Sequence, residues 1–281
     1  MQDPTISYAL SIGNQKLQKI TGNYINETFW ILSKCINKDK KYLLLNKQSN
    51  IHLSQFNDFL SLLNRRLQNE PLQSILESVL FYGYEFITYK DVFIARPETE
   101  LCIDIIKEYN DCYHSILEVG CGLGCLAITL SLEGLSRDIT AIDINVNAIY
   151  ASHLNYKHLN ASHIKFMNQD IFYMNHNKRY NLIISNPPYI PISDVQNLDS
   201  NVILYDPLSS LTDFDDGLSF YKYFSKIGPT LLLDGGLMLF EFGGHMQKEL
   251  LHDIFNKKYY KLKFFNDLNH EPRFLGVQLC N

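Results

Sequence analysis

The residues best suited to chemistry lie together in Ser185-Asn186-Pro187-Pro188-Tyr189. Asn186 offers a carbonyl oxygen on a short side chain. Pro187 and Pro188 contribute backbone carbonyls without N–H donors, on a backbone whose φ is fixed. Tyr189 adds a flat ring with a polar tip. Two acceptors beside a ring suit a planar –NH2 group: both hydrogens can be held while one face of the nitrogen stays open. A strand-ending turn, which Asn and Pro also make, accounts equally well for this stretch taken alone.

The run before it, Tyr180-Asn181-Leu182-Ile183-Ile184, is short, apolar and ended by prolines, the pattern of a buried strand in a parallel sheet. In open α/β sheets ligands bind outside the carboxyl ends of the strands, which places Asn186–Tyr189 over a site. The chain alternates strand and helix from residue 115. Strands are expected at 115–119, 139–144, 164–167, 182–185 and 236–242, with helices from Leu126, through Ala148 to Leu159, and up to about Asn256. Two closing strands near 261–265 and 274–279 have no helix between them and should form an antiparallel edge pair. The fold class is α/β, a doubly wound Rossmann-like sheet.

The first strand leads into Gly120-Cys121-Gly122-Leu123-Gly124, where glycines let the backbone come close to a ligand. The spacing is G-x-G-x-G, and Leu126 stands where the third glycine of a dinucleotide fingerprint would fall. Asp143 ends the second strand, where a carboxylate can accept from ribose hydroxyls. Asp170, after the third strand, can meet an adenine amino group. A nucleoside ligand without a pyrophosphate points to S-adenosylmethionine, with S-adenosylhomocysteine as product. Cys121-x3-Cys125 and the nine histidines show no ligand pairing, so no metal is expected.

Residues 1–80 read as a small helical domain. Ser54 could cap a helix with Phe56, Phe59, Leu60, Leu63 and Leu67 on one face. Others are expected through Thr28–Leu32 and from Leu72 to Leu80, with His52 and Arg65-Arg66 at the solvated surface. Residues 81–95 alternate like a hairpin turning near Tyr89-Lys90-Asp91 and would connect this domain to a catalytic domain over 96–281. Arg96-Pro97-Glu98-Thr99-Glu100 opens a helix with Leu101, Ile105 and Tyr109 on one face. An Arg96–Glu98 ion pair would tie the hairpin to the sheet, with substrate contact as the alternative. Glu241, at a strand end, could brace a loop or touch ligand, and Asp213, Asp215 and Asp216 should form a solvated turn.

The 281 residues carry a net charge of −5, which does not suit a phosphate backbone, although residues 1–80 hold nine Lys/Arg against six Asp/Glu. The first 25 residues lack a cationic start followed by an apolar core, and no apolar run approaches the roughly 20 residues of a membrane span. The six scattered cysteines suit reduced thiols. A cytoplasmic protein off the membrane is expected, and nothing demands more than a monomer.

The chain resembles the release factor glutamine methyltransferases, which methylate the side-chain amide (N5) of the glutamine in the Gly-Gly-Gln loop of peptide chain release factors. Asn-Pro-Pro-Tyr alone is shared with adenine-N6 DNA and guanine-N2 ribosomal RNA methyltransferases. The narrowing comes from its combination with Pro71-Leu72-Gln73, Phe81-x-Gly83-x-x-Phe86, Arg96–Glu100, Asp216-Gly217-Leu218, Glu241-x-Gly243 with Gln247, and Arg273. The resemblance implies a class I S-adenosylmethionine-dependent methyltransferase domain and an N-terminal bundle that holds the substrate protein. Catalysis falls to Asn186, Pro187 and Tyr189. The substrate amide is bound by Asn186 through Tyr189, and the cofactor by Gly120 through Gly124, Asp143, Asp170, Ile171 and Asn186. Departures are Ala95 for a proline, Asp206-Pro207 for Glu-Pro, Ile171 for an aromatic that packs on adenine, Asp213-Phe214 for paired glycines, and His270 near a usual glycine. The rival reading is a nucleic-acid amino-methyltransferase. A flipped-out base usually needs a basic groove and a recognition region, neither of which this acidic chain provides.

Overall fold

A computed structural model describes residues 3–175 and 177–280, in two compact units, Met1–Ser78 and Val79–Asn281. The first unit consists of α1 (Ile6–Leu17), α2 (Tyr24–Ile36), α3 (Lys40–Leu45), α4 (Leu53–Leu67) and α5 (Leu72–Leu76). Its core includes Leu17, Ile31, Leu32, Phe59 and Leu63. Helix α4 begins at Leu53, ahead of the expected Ser54 cap, because Gln55 within the first turn reaches back and accepts from the His52 N–H at 3.3 Å. Helix α5 stops at Leu76 and does not run to Leu80. Glu77 turns left-handed at φ 59°, and the chain leaves as a strand. Arg66 is not a solvated surface residue: its Nε donates to the buried Glu27 carboxylate at 2.7 Å, while Arg65 binds Glu70.

Strands β1 (Ser78–Phe81) and β2 (Tyr84–Ile87) form the hairpin, so its turn is Tyr82-Gly83 and not Tyr89–Asp91. Both turn residues have positive φ, 50° and 81°, the two-residue geometry whose twist matches the flanking strands. Residues 88–95 form no strand. Then Pro97–Glu100 makes a 3₁₀ turn that continues into α6 (Leu101–Tyr109). That helix buries Cys102, Ile103, Ile105 and Ile106, and Leu101 and Tyr109 pack half-buried against the same core, so the apolar face includes the expected Leu101, Ile105 and Tyr109 and is wider than it.

The main sheet is built from β3 (Ile116–Val119), β4 (Ile139–Asp143), β5 (Ile164–Asn168), β6 (Tyr180–Ser185), β7 (Leu232–Glu241), β8 (Tyr260–Asn266) and β9 (Pro272–Leu279). Helices α7 (Cys125–Leu132), α8 (Val146–His158), α9 (Ser200–Tyr205), α10 (Ser219–Leu231) and α11 (His245–Phe255) complete the chain. Strand order is β5-β4-β3-β6-β7-β9-β8, and all pairs are parallel except those that β9 makes with β7 and β8. The expected closing pair forms, but β9 returns between β7 and β8, leaving only β8 at that edge. This is a Rossmann-like methyltransferase sheet with the helices on its faces. From β3 the chain steps outward to β4 and β5, then crosses to β6 on the other side of β3, so the topological switch point lies between β3 and β6. Their parallel register pairs Val119 with Ser185, and the Ser185 hydroxyl donates to the Val119 carbonyl at 2.8 Å. The glycine loop and the Asn-Pro-Pro-Tyr stretch therefore start side by side.

Candidate functional site

A cavity of about 200 Å³ opens at this switch point. Its wall includes Gly120, Cys121, Gly122 and Leu123 from the loop after β3, Asp143 after β4, Asp170 and Ile171 after β5, and Asn186, Pro187 and Pro188 after β6. Four separate strand ends thus converge, as their spacing in the sequence suggests. Gly124 and Tyr189 are not on the wall. A Cβ at Gly124 would meet Ile128 and Ser152, and a Cβ at Gly243 would lie 3.3 Å from the Tyr189 ring.

All three loop glycines have positive φ, 77°, 53° and 81°. The loop is already closed on itself. The Gly120 and Cys121 N–H groups donate to the Ile142 carbonyl, Gly122 to the Asp143 carboxylate at 2.9 Å, and Gly124 to the Cys121 carbonyl. Few N–H donors remain to wrap a pyrophosphate, so the loop fits a ligand that needs close backbone approach without a phosphate cradle. Gly124, the residue before α7, has no side chain to cap that helix. The buried Glu118 does so from β3, accepting from the Ala127 N–H at 2.9 Å, and burial raises its pKa well above the usual carboxylate range.

Burial also raises Asp143, against the hydrogen bonds it accepts from Gly122 and Asn145. One carboxylate thereby fixes both the glycine loop and the start of α8, while its edge faces the cavity. Asp170 caps the turn Ile171–Tyr173 through the Phe172 N–H at 2.9 Å. Ile171 is buried, and aromatic surface comes instead from Phe172 and Phe220, whose ring centroids are 5.0 Å apart on the wall. Phe172 adjoins Asp170-Ile171 in the sequence and could have been named from that; Phe220, on α10, carried no local signal.

Asn155, fully buried on α8, clamps the loop from behind. Its Nδ2 donates to the Ile87 and Leu123 carbonyls, and its Oδ1 accepts from the Ile87 N–H at 2.7 Å. Residues 88–95, expected as hairpin, instead bring Val92, Phe93 and Ala95 to the cavity wall. Arg96 does not pair with Glu98. It binds the Asp206 carboxylate and stacks over Phe93 at 4.9 Å, joining the segment before α6 to the one that brings Pro207 and Ser209 to the wall. The 110-residue separation hid this pair from any local reading.

Behind Asn186 lies a polar group whose members, Thr99 and Glu241, the sequence does not bring together. The Thr99 hydroxyl donates to Oε2 of Glu241 at 2.7 Å, and Nδ2 of Asn186 donates to the Thr99 oxygen at 3.4 Å and to Glu241. Glu241 is 2% exposed, and burial pushes its pKa up to about 7 against these hydrogen bonds. It braces a loop and is not on the cavity wall. With its nitrogen turned to Thr99 and Glu241, Asn186 has Oδ1 left as the acceptor it can offer a ligand.

Tyr189 is held from three sides. Its phenol interacts with Arg273, and its carbonyl accepts from Nε2 of Gln247 at 2.7 Å. Gly217 lies so close that a Cβ there would sit 2.2 Å from the Tyr189 carbonyl oxygen. Burial raises the phenol pKa. The expected solvated turn of aspartates is structured at two members: Asp216 accepts from the Leu218 N–H at 3.0 Å and pairs with Lys222. Asp213 accepts from the Asp215, Gly217 and Ser219 N–H groups, which outweigh its burial and hold its pKa below the usual value.

The chain matches the family model "Methyltransferase small domain" over residues 85–203 and "PrmC N-terminal domain" over residues 9–76. It is 33% identical to the release factor glutamine methyltransferase of Bacillus subtilis over 214 residues, covering 72% of this chain and 73% of that one. Identity to the Fusobacterium nucleatum protein of the same name is 32%, covering 89% and 72%. A bifunctional methyltransferase of Rickettsia bellii is 30% identical over 98% of this chain, which spans 55% of that protein's length and 58% of its Rickettsia typhi counterpart. In fold it is similar to a Pyrococcus furiosus methyltransferase, with TM-score 0.54 and 14% identity over 78% of this chain and 98% of that one.

Proposed function

Because the chain belongs to the release factor glutamine methyltransferase family, we propose that it methylates the side-chain amide nitrogen of the Gly-Gly-Gln glutamine in peptide chain release factors, using S-adenosylmethionine. The observation that carries the reading is the orientation of Asn186: its nitrogen is committed to Thr99 and Glu241, which makes Oδ1 the acceptor beside the Pro187 carbonyl.

Gly120–Leu123, Asp143, Asp170 and Ile171 hold the cofactor, Asp143 through ribose hydroxyls and Asp170 through the adenine amino group. When bound, the cofactor supplies an electrophilic methyl on its sulfonium sulfur. An amide nitrogen is a poor nucleophile because its lone pair is delocalised into the carbonyl. Asn186 Oδ1 and the Pro187 carbonyl each accept one N–H of the substrate, which orients the lone pair and favours the positive charge that grows on nitrogen. Tyr189, fixed at its phenol and its carbonyl and off the cavity wall, anchors the end of the acceptor stretch and so holds Asn186 and Pro187 in place for the amide. The alkylated nitrogen is strongly acidic and loses its proton afterwards, so no positioned general base is required. The helical unit Met1–Ser78 grips a distant part of the release factor. The enzyme acts as a cytoplasmic monomer.

The test is methyl transfer from labelled S-adenosylmethionine, offered in parallel to a release factor, its Gly-Gly-Gln→Gly-Gly-Ala variant, and plasmid DNA with total RNA. Label confined to the intact release factor is expected. Label on nucleic acid, with the release factor untouched, would replace this reading with a base amino-methyltransferase.

A further inference from the structure

We propose that Thr99 and Glu241 act together as a positioning pair that sets which end of the Asn186 side-chain amide faces the acceptor amide. The inference rests on the function proposed above, and it adds two residues that act through Asn186: Thr99, on the cavity wall, and Glu241 behind it.

The argument is one of hydrogen-bond direction. A carboxylate without a proton can only accept, and Glu241 reaches that state as pH rises past about 7. Glu241 therefore takes the Thr99 hydroxyl hydrogen at 2.7 Å, and a hydroxyl that has given away its only hydrogen can only accept in turn. The group that approaches it, 3.4 Å away on Asn186, must then be the Nδ2 donor. Donation from the same amide to Glu241 imposes the same orientation. Asn186 has one other polar atom, Oδ1, and a side-chain amide turned over would present two donors to an –NH2 group and repel it. The pair is buried and comes from well-separated elements: Thr99 from the 3₁₀ turn before α6, where its N–H donates to the Arg96 carbonyl, and Glu241 from the last residue of β7. Arg273, Glu98, Tyr189, Tyr221 and Cys102 are the other charged or titratable groups that act on this carboxylate or feel it. The Arg96–Glu100 stretch thus helps to aim an acceptor at the switch point.

Three variants separate the possibilities. Thr99→Val keeps the shape and removes the relay. Thr99→Ser keeps the hydroxyl. Glu241→Gln can donate to Thr99 and so reverse the direction of the chain of hydrogen bonds. Two readouts are used on the full chain at about pH 8.5, where Glu241 carries no proton. The first is the side-chain amide resonance of Asn186 in protein labelled with ¹⁵N-asparagine, assigned by its loss in Asn186→Asp. The second is methyl transfer to a release factor, as kcat and KM for cofactor and acceptor. In Thr99→Val and Glu241→Gln the resonance should shift and kcat should fall by roughly 10- to 100-fold with the cofactor KM unchanged, while Thr99→Ser stays near wild type in both. An unshifted Asn186 resonance in Thr99→Val would overturn the inference whatever the acceptor is. So would a Thr99→Val enzyme with wild-type kcat on the release factor. If the wild type methylates no release factor, the proposed function fails, and the resonance still decides the orientation.

Discussion

Gln247 and Tyr189 are tied by a single hydrogen bond of 2.7 Å that runs from the glutamine Nε2 to the tyrosine carbonyl. The other end of the same side chain accepts from the Gly243 N–H at 2.8 Å. One side chain on α11 therefore fixes both the last residue of the acceptor stretch and the loop that leaves β7. Replacing it with leucine strands a donor and an acceptor in a half-buried place, at a cost of about 2 kcal/mol. Urea unfolding of Gln247→Leu should show that loss, and methyl transfer should slow with cofactor affinity unchanged. Wild-type stability in the variant would mean that Tyr189 is held by other means.

Gly217→Ala should be far more damaging than Gly134→Ala. Both glycines have left-handed backbone, φ 76° and 73°, so both substitutions carry a conformational cost of roughly 1 kcal/mol. Only at Gly217 would the new Cβ meet a backbone oxygen, at 2.2 Å, whereas nothing lies within 4 Å at Gly134. The difference between the two melting temperatures measures the clash. Equal shifts would show that the Tyr189 carbonyl moves aside freely.

Arg96→Ala should destabilise the protein in a pH-dependent way. Burial raises the Asp206 pKa and the Arg96 charge opposes that rise, so removing Arg96 lifts the folded-state value further. A raised carboxyl pKa gives stability that is complete below the unfolded value and lost as pH climbs through the folded one. The penalty should thus be small near pH 4 and reach roughly 1–3 kcal/mol at pH 8, below the figure for a fully buried pair because Arg96 is partly exposed. Unfolding curves of both proteins across that range check the sign, and a penalty independent of pH would contradict it.

Glu241 makes a second pH prediction. Its pKa rises on folding from the ordinary 4.5 to about 7. Between those values the folded chain holds a proton that the unfolded chain has released, so stability falls as pH increases through this window. The wild type should lose roughly 3 kcal/mol relative to Glu241→Gln on going from pH 4 to pH 8. A constant difference between the two proteins would mean that the carboxyl keeps its ordinary pKa on folding.

Much of the sheet was legible because a strand buried on both faces must be a short apolar run, as β3, β4 and β6 are, and each ends in or is followed by a residue suited to ligand work: Gly120, Asp143, Asn186. Alternation was less informative. Phe81 to Ala95 alternates well enough to suggest a hairpin, but alternation does not locate a turn; the positive φ of Tyr82 and Gly83 does. The Leu72 helix was overextended for the same reason, since apolar spacing continues past Glu77 while the backbone does not. The polar relations were the least legible. Arg96 with Asp206, Thr99 with Glu241 and Asn155 with Ile87 join residues 68 to 142 positions apart, and local pattern carries no trace of a partner so distant. In the sequence Glu241 stands at a strand end without a visible partner, and Thr99 reads only as part of a helix start.

The Asn155 clamp turns one backbone amide into a gauge. The Ile87 N–H is bonded to the same side chain that holds the Leu123 carbonyl in the glycine loop. It cannot exchange with solvent until that side chain lets go, and when it lets go the loop loses its rear support. Deuterium uptake at Ile87, a residue off the cavity wall, therefore clocks the opening of the glycine loop without a label on the loop.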